Sequence, residues 1–117
     1  MLRQIVGQKA ERKAEAFLKK RGLIRLERNY NCRMGEIDLV MRDGEAIVFV
    51  EVRKRSLKGY GDAADSINTS KQRKLVLAAR HFLMNHSHYG ECPCRFDVVA
   101  IDGETETIKW ISNAFEA

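Results

Sequence analysis

A chain of 117 residues with a formal net charge of +5 has the length of a single domain, residues 1–117, whose core buries about two-thirds of the unfolded surface. It contains no apolar run that would span a bilayer, and its start, MLRQIVGQKAERKAE, has no apolar export segment before a small-residue cleavage site; a cytoplasmic protein without membrane association is expected. The positive charge favours a polyanionic partner, nucleic acid first, and says nothing about fold.

Residues 6–21 have helical periodicity. Val6, Ala10, Ala14, Phe17, Leu18 and the stem of Arg21 share one side, and Gly22 is a natural stop. Glu11 falls at the shoulder of that stripe, where a carboxylate can lean over the sheet the helix covers, whereas Glu15 turns further toward solvent. Leu23–Asn29 is a short polar strand suited to a sheet edge, followed by a linking turn, Tyr30–Met34.

The stretch GEIDLVMRDGEAIVFVEVRKR, residues 35–55, reads as a hairpin. Ile37, Leu39 and Met41 alternate with Glu36, Asp38 and Val40, Asp43-Gly44 signals a tight turn, and 46–52 is apolar enough for a strand covered on both faces. A turn centred on Asp43-Gly44 pairs Arg42 with Glu45, Asp38 with Phe49 and Glu36 with Glu51. Asp38 and Glu51 then converge on one face, with Arg53 two residues beyond. Carboxylates ending a buried strand pair suit a hard divalent ion, Mg²⁺ or Mn²⁺, that keeps waters for a phosphate. Glu51 is the strongest of these candidates because it interrupts the apolar run IVFVEV.

Arg53, Lys54, Arg55 and Lys58 form a basic run into Gly59-Tyr60-Gly61, where Tyr60 could stack on a base or touch a sugar-phosphate backbone. A second helix is expected to be capped by Thr69, with Gln72 completing the capping box, and to bury Leu75, Ala79, Phe82 and Leu83. Lys71, Arg73 and Lys74 crowd its start, the unfavourable end for cations; a phosphate docked there would account for them. His81 and His86 read as surface residues. The three cysteines read as free thiols, and His86, His88, Cys92 and Cys94 lack the spacing of a structural zinc site. Strands follow at 95–101 and 107–111; Asp97 is a further acidic candidate of undetermined position, and Phe115 packs back onto the domain. The order of elements implies a small α/β fold with a mixed central sheet flanked by helices.

The motifs G-E-I-D-L-V, F-V-E-V-R-K-R, R-F-D-V-V and N-A-F resemble the YraN family of small bacterial predicted nucleases. That family is a branch of the PD-(D/E)XK superfamily, related in fold to archaeal Holliday junction resolvases. The resemblance spans nearly the whole chain and implies a restriction-endonuclease-like core. In that scheme Asp38 and Glu51 would hold Mg²⁺, Glu11 would stand near it, and Arg53 takes the position of the motif lysine. Two functions follow. One is a metal-dependent phosphodiesterase acting on DNA, branched DNA included, with two copies suited to a symmetric junction. The other is a nucleic-acid-binding module of nuclease fold with little or no cleavage, which Arg53 favours, since a guanidinium stays protonated and cannot act as a general base.

Overall fold

The computed structural model describes residues 2–55 and 67–117, with side chains from residue 8 to 54 and from 67 onward. In chain order the elements are α1 (Leu2–Lys20), β1 (Ile24–Cys32), β2 (Gly35–Asp43), β3 (Ala46–Arg55), α2 (Thr69–Asn85), a short 3-10 turn (Ser87–Tyr89), β4 (Cys94–Asp102) and β5 (Ile108–Phe115). The strands form one sheet in the order β1-β2-β3-β4-β5. Its neighbours are antiparallel except β3 and β4, which run parallel. This is the expected α/β fold with a mixed sheet, in agreement with a restriction-endonuclease-like core.

The sheet is covered on both faces, each by one of the helices. On one side Ala10, Ala14 and Leu18 of α1 pack with Leu39, Met41, Val48, Val50, Val99 and Ile101. On the other, Leu75, Ala78, Ala79 and Phe82 of α2 pack with Ile37, Val40, Ile47, Phe49 and Phe96. Ile47 through Val50 are accordingly buried, which is why β3 reads as an almost unbroken apolar run. At the end of α1, Leu23 N–H bonds to Leu18 O at 3.1 Å and Gly22 N–H to Lys19 O at 3.0 Å. Gly22 has φ +94, the left-handed conformation that glycine allows in this type of helix stop.

Several local expectations are corrected. β1 continues through the residues expected to turn, since Tyr30 pairs with Ile37 and Cys32 with Gly35. The central hairpin pairs Asp43 with Ala46, Arg42 with Ile47 and Leu39 with Val50. Its turn is therefore Gly44-Glu45, with Gly44 at φ +61 in the first central position. The pairing moves two residues along β3, and Glu36 is not opposite Glu51. The alternation of β2 also breaks at Asp38, where Ile37 and Val40 share the α2 side. The β1 residue facing Asp38 is Asn29, at φ +50, and the ladder skips from Arg28·Leu39 to Tyr30·Ile37. α2 is capped by Asn68, whose side chain accepts from Lys71 N at 2.8 Å. Gln72 Nε2 bonds instead to Ile67 O at 3.0 Å, so Thr69 is the first helical residue rather than the cap.

Glu15 is the largest correction. It is buried, at 3% exposure, because β1 leans cations over the helix shoulder. Arg28 reaches its two carboxylate oxygens from Nε at 2.6 Å and Nη2 at 3.0 Å. Lys19 stands at 3.0 Å and Arg25 at 3.8 Å. The Arg28 hydrogen bonds, chiefly, hold the Glu15 carboxyl down to about 2. A depressed carboxyl adds stability above its ordinary value of 4.5, and that stability is lost as pH falls toward 2. Glu15→Gln is expected to cost about 1.5–3 kcal/mol at neutral pH, the range for hydrogen bonds to charged groups. The difference from the wild type should shrink on acidification, as read by urea unfolding at several pH values.

Candidate functional site

β2 and β3 stop pairing at Leu39·Val50, and Asp38 and Glu51 are the next residues along each strand. Paired with Val99 of β4 but with no partner on β2, Val52 donates its amide to Asp38 Oδ2 at 2.8 Å. The carboxylate thus takes the place of a backbone carbonyl and is held by main chain. Both acids are nearly buried, Asp38 at 9% and Glu51 at 4% exposure. Glu11, half-buried at the α1 shoulder, completes the group: it is within hydrogen-bonding reach of Asp38 and Asn29.

Charge within the cluster is unbalanced. Burial first, then repulsion from Glu51, pushes the Asp38 carboxyl up to about 8, against the opposing pull of the Val52 amide. Burial likewise raises Glu11, with the charges of Glu36 and Glu51 adding to it while hydrogen bonds with Asp38 and Asn29 oppose it. Carboxyls this close must share protons or a cation.

The cations present gather on Glu51. Lys71 Nζ, from the first turn of α2, is 3.0 Å from Glu51 Oε2, and Arg53 Nη1 is 3.7 Å from the same oxygen. Lys71 is thus the nearer partner of the glutamate, a contact that crosses from β3 to α2 and has no signature in local sequence. Asn29 is the other residue that sequence reasoning missed; its left-handed φ opposite Asp38 is the structural mark of it.

The remaining candidates are dispersed. Lys54, Arg73 and Lys74 are exposed, the last two at the start of α2, beside Lys71. One amide of that helix start is already committed to Asn68. The Arg55 side chain, Lys58 and Tyr60 lie outside the described residues. Asp97 does not join the cluster. It is buried between β4 and β5, held by Arg95 Nε at 3.0 Å, Trp110 Nε1 at 2.9 Å and Asn113 N at 2.9 Å. That set satisfies both its oxygens and makes it a structural acid tying β4 to β5. Among the described residues, no three His, Cys, Asp or Glu side chains form a ready-made metal cage.

A family model matches residues 10–101, from Ala10 in α1 to Ile101 in β4. The chain belongs to the uncharacterised protein family UPF0102. The match takes in Glu11, Asp38, Glu51 and Lys71 together, and the family is the one to which the YraN resemblance pointed. A UPF0102 protein of Nitrosospira multiformis is 55% identical over 117 residues, covering 99% of this chain and 97% of its own. One from Nitrosomonas europaea is 52% identical over 111 residues, covering 94% and 92%. A third, from Pseudomonas putida, is 50% identical over 113 residues, covering 94% and 91%. Among the described residues of this UPF0102 chain, no helix is long and apolar enough to cross a membrane.

Proposed function

We propose that this UPF0102 chain is a divalent-metal-dependent phosphodiesterase that cleaves DNA, branched DNA included, within the PD-(D/E)XK superfamily. The observation that carries this reading is the Glu11–Asp38–Glu51 group at the point where β2 and β3 separate. Its donors are hard carboxylate oxygens; burial first, then the charge of Glu51, raises Asp38, and a cation would offset the cost of ionising both acids there. A site with carboxylates but no closed cage suits Mg²⁺ or Mn²⁺, which binds through one or two carboxylates and completes its shell from water and phosphate oxygens. Asp38 and Glu51 would hold it. When bound, such an ion supplies charge for the phosphoryl oxygens and acidifies a water.

The chain's own residues do the rest. The Val52 amide fixes the direction of Asp38, Glu51 and Glu11 adjoin it, and Asn29 in turn bonds Glu11. Lys71 and Arg53 are placed to meet a phosphate beside Glu51, Lys71 as a compact donor and Arg53 as a planar fork that can hold two oxygens. The test is incubation of purified protein with labelled duplex, flap and four-way DNA, with Mg²⁺, with Mn²⁺ and with chelator. Cleavage that chelation stops and added metal restores supports the reading. Tight DNA binding with no cleavage under any metal would leave the binding module, a reading that the Lys71 and Arg53 contacts on Glu51 favour, because both cations already partly neutralise it.

Lys71 makes a sharper prediction. Its ammonium sits 3.0 Å from the oxygen a metal would use, so in the absence of DNA it competes for Glu51. Lys71→Ala should bind Mn²⁺ about tenfold more tightly by calorimetry, a change of roughly 1.4 kcal/mol, and yet bind DNA more weakly. Unchanged or weaker metal binding in that variant would place Lys71 away from the metal position.

A further inference from the structure

On the other face of the sheet from Lys71, a cleft of about 760 Å³ opens between α1 and the β4–β5 turn. Ala10, Ala16 and Ile101 line it along with Lys9, Arg12 and Lys54. We propose that this cleft is a second phosphate-binding surface, which takes the sugar-phosphate backbone of nucleic acid as it runs off the carboxylate cluster; the inference rests on the nucleic-acid reading above.

Strand geometry joins the two places. Successive residues of β3 point to opposite faces, so Glu51 and Arg53 serve the α2 side while Lys54, paired with Ile101 of β4, enters the cleft. On α1, Glu11 belongs to the cluster and Arg12, the next residue, lines the cleft. One strand end and one helix therefore connect the acids to both sets of cations.

The acids of the cleft are already engaged. Lys13 pairs with Glu106, and Asp102 Oδ1 accepts from Glu104 N at 2.8 Å and Thr105 N at 3.1 Å. Lys9, Arg12 and Lys54 make no ion pair with the described residues, and all of them are exposed. Small-ligand pockets orient their occupant with a few placed polar groups in a mostly buried cavity. Here the cations are spread along an open rim instead, an arrangement that matches a chain of regularly spaced phosphates.

The experiment measures binding of a labelled DNA duplex in chelator across a salt series, so that cleavage plays no part. The triple variant Lys9→Gln, Arg12→Gln, Lys54→Gln should lower the slope of log affinity against log salt by about 2–3, at about 0.9 for each phosphate no longer neutralised. At moderate salt its affinity should fall at least tenfold. Arg80→Gln, an exposed cation of α2 that does not line the cleft, should alter the slope by no more than about 0.9, the value for a single phosphate. Competition by inorganic pyrophosphate separates a backbone from a free phosphate compound. Displacement of DNA at concentrations where pyrophosphate acts as a specific ligand, lost in the triple variant, would overturn the backbone assignment. An unchanged slope in a variant that still binds DNA would overturn the cleft and leave the carboxylate site standing. Failure of the wild-type protein to bind DNA at all would overturn both.

Discussion

Glu51→Ala should lose Mg²⁺-dependent cleavage by more than about 100-fold in single turnover, while its circular dichroism spectrum and DNA affinity stay close to wild type. The lower bound comes from the 10- to 100-fold losses typical of residues that only support a metal ligand; a direct ligand costs more. Among the described residues, Glu51 meets the partly exposed cations Lys71 and Arg53 and the side chain of Asp38. Truncation therefore removes an acid from beside two cations that are already partly exposed, rather than stranding a buried charge. DNA binding should hold, since Lys71 and Arg53 keep their charge and their place at the site. Equal residual cleavage by wild type and variant would assign the activity to a contaminant or another site, and a variant that fails to fold would show Glu51 to be structural. Asp38→Asn, which keeps an oxygen for the Val52 amide, is the companion that separates those outcomes.

Metal-free protein should lose stability as pH rises, and Asp38→Asn should remove much of that loss. The Asp38 carboxyl is raised from 3.8 to about 8 in the fold, so the folded chain binds this proton more tightly than the unfolded one. Its contribution is fully present below 3.8 and is lost as pH climbs through about 8. Each unit between those values corresponds to about 1.4 kcal/mol, which puts the effect across the window at a few kcal/mol. The asparagine cannot ionise, so its advantage over wild type should widen steadily from acid to mildly alkaline pH. Saturating Mg²⁺ should narrow the gap from the wild-type side, because binding to the folded state alone stabilises it. Parallel unfolding curves for the two proteins at all pH values would show that Asp38 is not held in its neutral form.

The sheet and the acid pair were legible in the sequence for different reasons. β3 announced itself because a strand buried on both faces must be apolar throughout, and Glu51 stood out against that background. The register was not legible. Asp43-Gly44 marks a turn without saying which glycine position it fills, and Gly44 in the first central place shifts the pairing by two residues. Asp38 and Glu51 still meet, because they lie next to one another beyond the last pair, where the shift brings them closer. Glu15 reads as solvent-facing because a helical wheel describes the helix and not the strand beside it; the reach of Arg25 and Arg28 from β1 buries it. Lys71 was visible as a cation at the unfavourable end of a helix, but its contact with Glu51 depends on how α2 lies over the sheet. The same limit hides the role of Asp97, which depends on Trp110 and Asn113 reaching it from β5.

The Val52 amide, which bonds a side chain where its neighbours bond a strand, is in effect a spectroscopic probe inside the site. Its proton resonance is set by the charge on one oxygen, so it will move when Asp38 gains or loses a proton and again when that carboxyl takes up a cation. The amides of Met41 and Val48, paired further along the same ladder, report on the strands at a greater distance from that charge. A single nitrogen-15 spectrum recorded through a pH or metal titration can therefore read the state of the acid group with no substrate present and no residue altered.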